Sequence, residues 1–212
     1  MGQNRSSAVM QQRKEPHDSL DDFPTPPWAT RALCEFLLSL RTVGVPFGSC
    51  REPAANRGHM VKALLEYFAS VEASDVHDYG VGYPVADYLW GLTPAPVDWT
   101  ITNPPFRLAE QFIHRALESS DIGVAVIVRS AFLEGKGRFE GLFFVTPPSY
   151  VLQFSERVVI HRGRLAPEGS SATAYSWIVW LKDEEQPADT RLRWIPPCRK
   201  HLERTSDYEE AA

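Results

Sequence analysis

Asn103, Pro104, Pro105 and Phe106 stand in a row, and these types in this order can hold and activate an amino group. The Asn103 side-chain oxygen and the Pro104 carbonyl are two acceptors for the two hydrogens of a planar –NH₂. Engaging both hydrogens reduces delocalisation of the nitrogen lone pair and aims it at an electrophile. Asn103 and Pro104 each precede a proline, which biases both to extended backbone, and the prolines carry no N–H to compete. Phe106 offers a flat apolar face, worth ~1–3 kcal/mol to a stacked nucleobase. Taken alone, the tetrapeptide also fits a surface turn.

Its setting favours chemistry. The approach Val97-Asp98-Trp99-Thr100-Ile101-Thr102 reads as a buried strand, and residues 108–117 read as a helix. The tetrapeptide then lies at the carboxyl end of a strand, where open α/β sheets bind ligands. Upstream, residues 49–51 form a short strand, Glu52-Pro53-Ala54-Ala55-Asn56-Arg57-Gly58 a loop, and residues 61–68 a helix. Residues 71–76 make the next strand, ended by turns at Gly80 and Gly82. The apolar run 122–128 is expected to be covered on both faces. Strand and helix alternate, so a mainly parallel, doubly wound sheet is the economical architecture. After a helical piece near 137–144 the pattern turns β-rich, with strands at 150–154 and 174–181 and an edge strand at 191–195. Thr25 is placed to cap a helix over 26–40, since proline suits the first helical positions.

With 212 residues, 43% of them hydrophobic, the chain can build one substantial core. Residues 1–20 are polar without periodicity and read as a disordered tail. Residues 21–183 read as the catalytic domain and 184–212 as an extension with an edge strand and a loose tail. The formal net charge of −5 is the main objection to a nucleic-acid partner, although a local basic face stays open. Cys34, Cys50 and Cys198 are too few and too scattered for a disulfide framework or a zinc site, so no metal and a reducing cytoplasm are expected. No apolar run reaches membrane-spanning length, and the polar start lacks a signal-peptide core.

From Phe23 to about Leu181 the chain resembles the S-adenosylmethionine-dependent amino-methyltransferases, and within them bacterial and phage N6-adenine DNA methyltransferases. Phe23-Pro24-Thr25-Pro26-Pro27 is similar to the family's amino-terminal cofactor segment, the Glu52–Gly58 loop to its glycine-rich loop, and Asn103-Pro104-Pro105-Phe106 to its catalytic tetrapeptide. The resemblance implies a Rossmann-like methyltransferase fold, a mainly parallel seven-stranded sheet with a late antiparallel hairpin and helices on both faces. It implies S-adenosylmethionine as methyl donor, held by Phe23, Thr25, Glu52, Pro53, Ala54, Asn56, Gly58, Asp75 and Asp87. The loop would offer N–H groups to the cofactor's carboxylate, Asp75 would take the ribose hydroxyls, and Asp87 the adenine amino group. The implied reaction flips an adenine out of double-stranded DNA and methylates its amine, in the cytoplasm of a bacterial or phage-infected cell.

Other readings stand beside these. Asp75 and Asp87 fit helix or turn caps, and Phe23 fits the core better than a ligand contact. Asn56 stands where the family's loop carries a glycine; asparagine tolerates left-handed backbone, but its side chain crowds a ligand. Arg157, Arg162 and Arg164, with His161 among them, form a basic loop. It suits phosphate contacts near the cleft and equally suits a solvated face. Arg129 stands at the same sheet edge and suits either substrate contact or neutralisation of a carboxylate. Trp177 and Trp180 suit the core. The same chemistry could serve RNA adenine or a protein glutamine amide, and a non-catalytic binding module with a decayed cofactor loop is a third reading.

Overall fold

Proline fixes where the first helix begins. In the computed structural model, which describes residues 21–40, 47–165, 167–169, 171–182 and 189–208, Pro26 is the extended cap of α1 (Pro27–Ser39) and Pro27 opens it. Thr25 does not cap this helix. Its hydroxyl is buried without a partner instead. The expectation for residues 1–20 and the start of the 184–212 extension fall outside the described residues.

The strands are β1 (Ser49–Glu52), β2 (Ser70–Ala73), β3 (Val97–Thr102), β4 (Ser120–Arg129), β5 (Tyr150–Phe154), β6 (Tyr175–Leu181) and β7 (Arg191–Ile195), with α2 (His59–Leu64) and α3 (Ala109–Glu118) between. They form one seven-stranded sheet in the order β2-β1-β3-β4-β6-β5-β7. β1 pairs in parallel with both β2 and β3, and β3 with β4. β6 runs antiparallel to both β4 and β5, and β7 closes the edge parallel to β5. The chain leaves β1 for β2 on one side and later returns to β3 on the other. That reversal opens a crevice at the carboxyl ends of β1 and β3.

Each face of the sheet carries a core. Trp28, Leu33 and Leu37 of α1 and Met60 and Leu64 of α2 pack with Trp99, Ile101 and Trp177 on one face. Ile113 and Ala116 of α3 pack with Val124, Val126, Ile178 and Trp180 on the other. Trp177 and Trp180 are three apart on one strand, so they take opposite faces. Both indoles are core, donating to the carbonyls of Ala29 and Thr146.

Two boundaries shift from expectation. α2 ends at Leu64, and β2 stops at Ala73. β1 turns away at Pro53, which has no N–H for the ladder, so Asp75 pairs instead with the 84–86 segment through Pro84 and Ala86. The tail beyond Pro197 is not loose as far as Tyr208. A four-residue helix, Arg199–Leu202, and a 3-10 turn, Thr205–Tyr208, dock on α1. The buried Arg31 guanidinium draws them in, donating to Asp207 at 2.7 and 2.8 Å and to the Leu202 carbonyl at 2.6 Å. Glu66 accepts two further N–H groups of the same guanidinium, at 2.8 and 2.9 Å, so the docked tail completes the acceptor set of a buried cation.

Candidate active site

A cleft opens at the crevice between β1 and β3. Its lining includes Phe23 and Thr25 from the segment before α1, Glu52, Pro53, Ala54 and Asn56 from the β1–α2 loop, Asp75, Asp87, Asn103 and Pro105. Gly58, Pro104 and Phe106 lie beside it rather than in the lining. Sequence reasoning missed Asp21, His59, Met60, Tyr79 and Tyr88, which line it too. Asp21 and His59 are neighbours in sequence of segments already singled out; Tyr79 and Tyr88 come from a loop with no local pattern.

Asn103 is oriented by its neighbour. Its amide nitrogen donates to the Phe23 carbonyl at 2.8 Å, and a carbonyl can only accept, so the flip is decided. The side-chain oxygen is thereby kept for an incoming donor. Asp21 accepts from the Phe106 N–H at 2.7 Å and fixes the far end of the tetrapeptide.

Phe106 departs from expectation. Its ring packs against Phe23, with centroids 5.1 Å apart, and the Arg129 guanidinium lies over it at 4.1 Å from the centroid. The flat face expected to receive a base is thus shared with a cation. An exposed contact of this kind is worth about 0.5–1 kcal/mol. A hydrogen bond from a guanidinium to an anionic oxygen is worth about 1.5–3 kcal/mol.

The β1–α2 loop is tied down from within. The Glu52 carboxyl accepts from the Ala54 N–H at 2.9 Å, Asp75 from the Asn56 N–H at 2.8 Å, and the carbonyls of Ser74 and Ala55 from the N–H groups of Ala55 and Gly58. The loop's own donors are therefore spent, contrary to the expectation that they would face an anion. Asn56 does hold the left-handed turn, at φ 51°. Its amide donates to Asp22 at 2.8 Å, where Arg57 also pairs. Burial alone would raise the Asp22 carboxyl, but the hydrogen bonds from Arg57 and Asn56 and the Arg162 charge hold it below the usual carboxylate range. Gly58 is held at φ +80°, and a Cβ there would meet the Tyr83 hydroxyl at 2.3 Å.

Glu52 is the most perturbed group in the cleft. It is 1% exposed, and one oxygen accepts from the Thr102 hydroxyl at 2.6 Å as well as from Ala54. The other oxygen is buried without a partner. Burial pushes the carboxyl up to about 8, against hydrogen bonds that favour its ionised form. His59, also lining the cleft, keeps Nδ1 buried and unpartnered, and burial lowers its ring to about 4, so it is neutral at pH 7. Asp75 accepts one N–H on each oxygen, from Asn56 and His77. Asp87 is exposed and accepts from the Leu89 N–H.

The basic loop stands apart from this lining. Gly163 donates to the Asp22 carbonyl at 2.7 Å, which sets the His161–Arg164 turn beside the segment before α1. Arg162 faces the Asp22 charge. Arg157 lines a second concavity with Gln153, Glu156, Ala174 and Tyr175. Arg164 is exposed. Among the described residues no cluster of metal-ligating side chains is present, and no helix is long and apolar enough to cross a membrane.

No protein-family model and no curated protein sequence matches the chain. Solved structures do match in shape. A "putative RNA methyltransferase" from Pyrococcus horikoshii is 17% identical, covering 81% of this chain and 93% of its own, with a TM-score of 0.56. A "putative hemolysin" from Lactococcus lactis is 12% identical, covering 78% and 91%, with a TM-score of 0.50. The chain has the Rossmann-like methyltransferase fold. At these identities the likeness speaks for fold alone, and one fold hosts many chemistries.

Proposed function

We propose that this chain is an S-adenosylmethionine-dependent N6-adenine DNA methyltransferase. The observation that carries the cofactor is the charge of the cleft. Asp21, Asp75 and Asp87 line it without a lysine or arginine among the lining residues, the buried Glu52 carboxyl beside them gives up its proton more readily once a cation approaches, and the backbone N–H groups of the β1–α2 loop are spent. A nucleotide diphosphate would find nothing to neutralise it there, whereas a cationic nucleoside fits. Three buried polar atoms without partners, Thr25 Oγ1, Glu52 Oε2 and His59 Nδ1, belong to residues that line the same cleft. Buried polar groups are ordinarily paired, which supports a polar ligand as their partner.

In this reading Glu52 Oε2 accepts from the ammonium group of the methionine moiety. Asp75 has one lone pair left on each oxygen for the two ribose hydroxyls, and Asp87 accepts from the adenine amine. Held so, S-adenosylmethionine supplies an electrophilic methyl group on a sulfonium. Asn103 and the Pro104 carbonyl take the hydrogens of the target amine and direct its lone pair at that methyl, and Phe106 positions the ring. The amine proton leaves after transfer, so no strong general base is needed, and catalysis rests on positioning and electrostatics.

Phe106 and the Arg129 guanidinium over its ring support the nucleic-acid substrate, and the basic 157–164 loop, set apart from the lining, adds positive charge beyond the cleft. A second reading keeps the chemistry and changes the substrate to an RNA adenine or a protein glutamine amide, and the net charge of −5 favours the protein amide. The test is incubation with methyl-labelled cofactor and, separately, DNA, RNA and protein extract. Label in DNA, recovered after digestion as N6-methyladenine, is the expected result. Label confined to RNA or protein refutes the DNA reading. No label in any arm, with no cofactor binding by calorimetry, leaves the non-catalytic module.

A further inference from the structure

We infer that Arg129 is a substrate-positioning residue: it holds the Phe106 ring face until a base enters, then pairs with a phosphate flanking that base. The inference rests on the nucleic-acid reading above and names a contact within it. Arg129 ends β4, and its backbone is rigid. It sits opposite Tyr175 of β6, and the next residue, Ser130, donates its N–H to the Ala174 carbonyl and joins its hydroxyl to Ser176 and Gln153. The guanidinium is held differently. Its contact is the Phe106 ring at 4.1 Å, and among the described residues it has no carboxylate or carbonyl partner, whereas Arg31, Arg51, Arg57 and Arg199 are each paired with one.

An exposed cation left on an aromatic face is the weakly held kind. It yields to an anionic oxygen, which a guanidinium binds through two parallel N–H groups, and the ring yields to a base, which stacks in its place. The two exchanges fit one substrate: a nucleotide extruded at Asn103, with a phosphate on either side of it. Neutralisation of a protein carboxylate, the alternative role for Arg129, finds no such partner among the described residues.

Equilibrium binding to a short DNA duplex over a salt series, together with methyl transfer, tests this in the full chain. Replacing Arg129 by glutamine should weaken DNA binding roughly tenfold at low salt and lower the log–log salt slope by about one unit. R129K should keep the slope, because it keeps the charge, but lose turnover, because ammonium lacks the planar fork. S-adenosylmethionine affinity should be the same in all three proteins, which a merely unfolded variant would not show. An unchanged slope in R129Q, with wild-type methylation of DNA, overturns the role of Arg129 and leaves the enzyme reading intact. A wild type that neither binds nor methylates DNA sinks both together.

Discussion

Replacing Glu52 with glutamine probes the floor of the cleft where its electrostatics are most demanding. The native carboxyl holds its proton up to about pH 8, while in the unfolded chain it ionises near 4.5. Between those values the native state binds one proton more, so stability is fully present below pH 4.5 and falls as pH rises through the window. Each pH unit in that window is worth roughly 1.4 kcal/mol, so from pH 5 to pH 7 the wild type gives up on the order of 2–3 kcal/mol through this group. Glutamine keeps the shape and the acceptor for Thr102 and Ala54 but cannot ionise. E52Q should therefore gain on the wild type as pH rises, by about 2–3 kcal/mol between pH 5 and pH 7. His59 titrates in both proteins and cancels in the difference. Urea denaturation at pH 5, 6 and 7 measures this, and parallel pH curves for the two proteins would refute the buried neutral carboxyl. The same group also reports on the ligand. A cation beside Oε2 favours the carboxylate, so S-adenosylmethionine binding at pH 7 should expel about 0.9 proton from the wild type and none from E52Q. Titration calorimetry in two buffers of different ionisation enthalpy reads that proton directly, and buffer-independent heats in the wild type would separate Glu52 from the ligand's charge.

Three further outcomes follow from the same site. Asn103→Ala removes an acceptor that matters most in the transition state, so turnover should fall more than tenfold, over about 1.4 kcal/mol, with cofactor affinity nearly unchanged; single-turnover transfer with calorimetry checks both. Asp75→Ala should show the reverse, weakening the cofactor by about 1.5–3 kcal/mol while turnover at saturation changes less, and unchanged affinity would remove Asp75 as the ribose partner. Alanine at Arg157, Arg162 and Arg164 together should flatten the salt dependence of DNA binding by roughly one unit per lost phosphate contact. Arg162, already facing Asp22, should contribute least, and an unaltered slope would make the loop a solvated face.

What could be read from the chain divides along physical lines. The centre of the sheet was legible because β4 and β6 carry apolar runs and the turns carry proline and glycine, both local signals. The place of the tetrapeptide was legible because a buried strand runs straight into it, and Asn103 and Pro105 line the cleft. Asp75 was expected in the cleft and lines it, although its strand stops at Ala73, short of it. The free donors expected of the β1–α2 loop were an error of a different kind. Local backbone reasoning sees N–H groups in a turn, but it does not see the Asp75 carboxyl, 19 residues away, or the Ser74 carbonyl that take two of them. Thr25 fails as a helix cap for a similar reason: proline already sets the start of α1, and the hydroxyl is left for the cleft. The docked tail was invisible because its anchor, Arg31, lies 176 residues from Asp207.

The Arg129–Phe106 contact joins both lessons. Each residue was singled out on its own, one as a stacking platform and one as a cation of unknown use, and nothing in their spacing says that they meet. Once they do, the platform is already covered by a planar group of about the right size. That makes stacking on Phe106 an exchange rather than a simple addition, so base affinity should depend on what Arg129 gains when it leaves. A substrate lacking a flanking phosphate offers it little. Free adenine or adenosine should therefore be a far poorer methyl acceptor than the same base within a strand, even with Asn103 fully able to hold its amine. Comparing adenosine with an adenine-containing dinucleotide and a longer strand tests this without any mutation: equal efficiency across the three would mean that Arg129 leaves the ring at no cost and that phosphate plays no part in positioning.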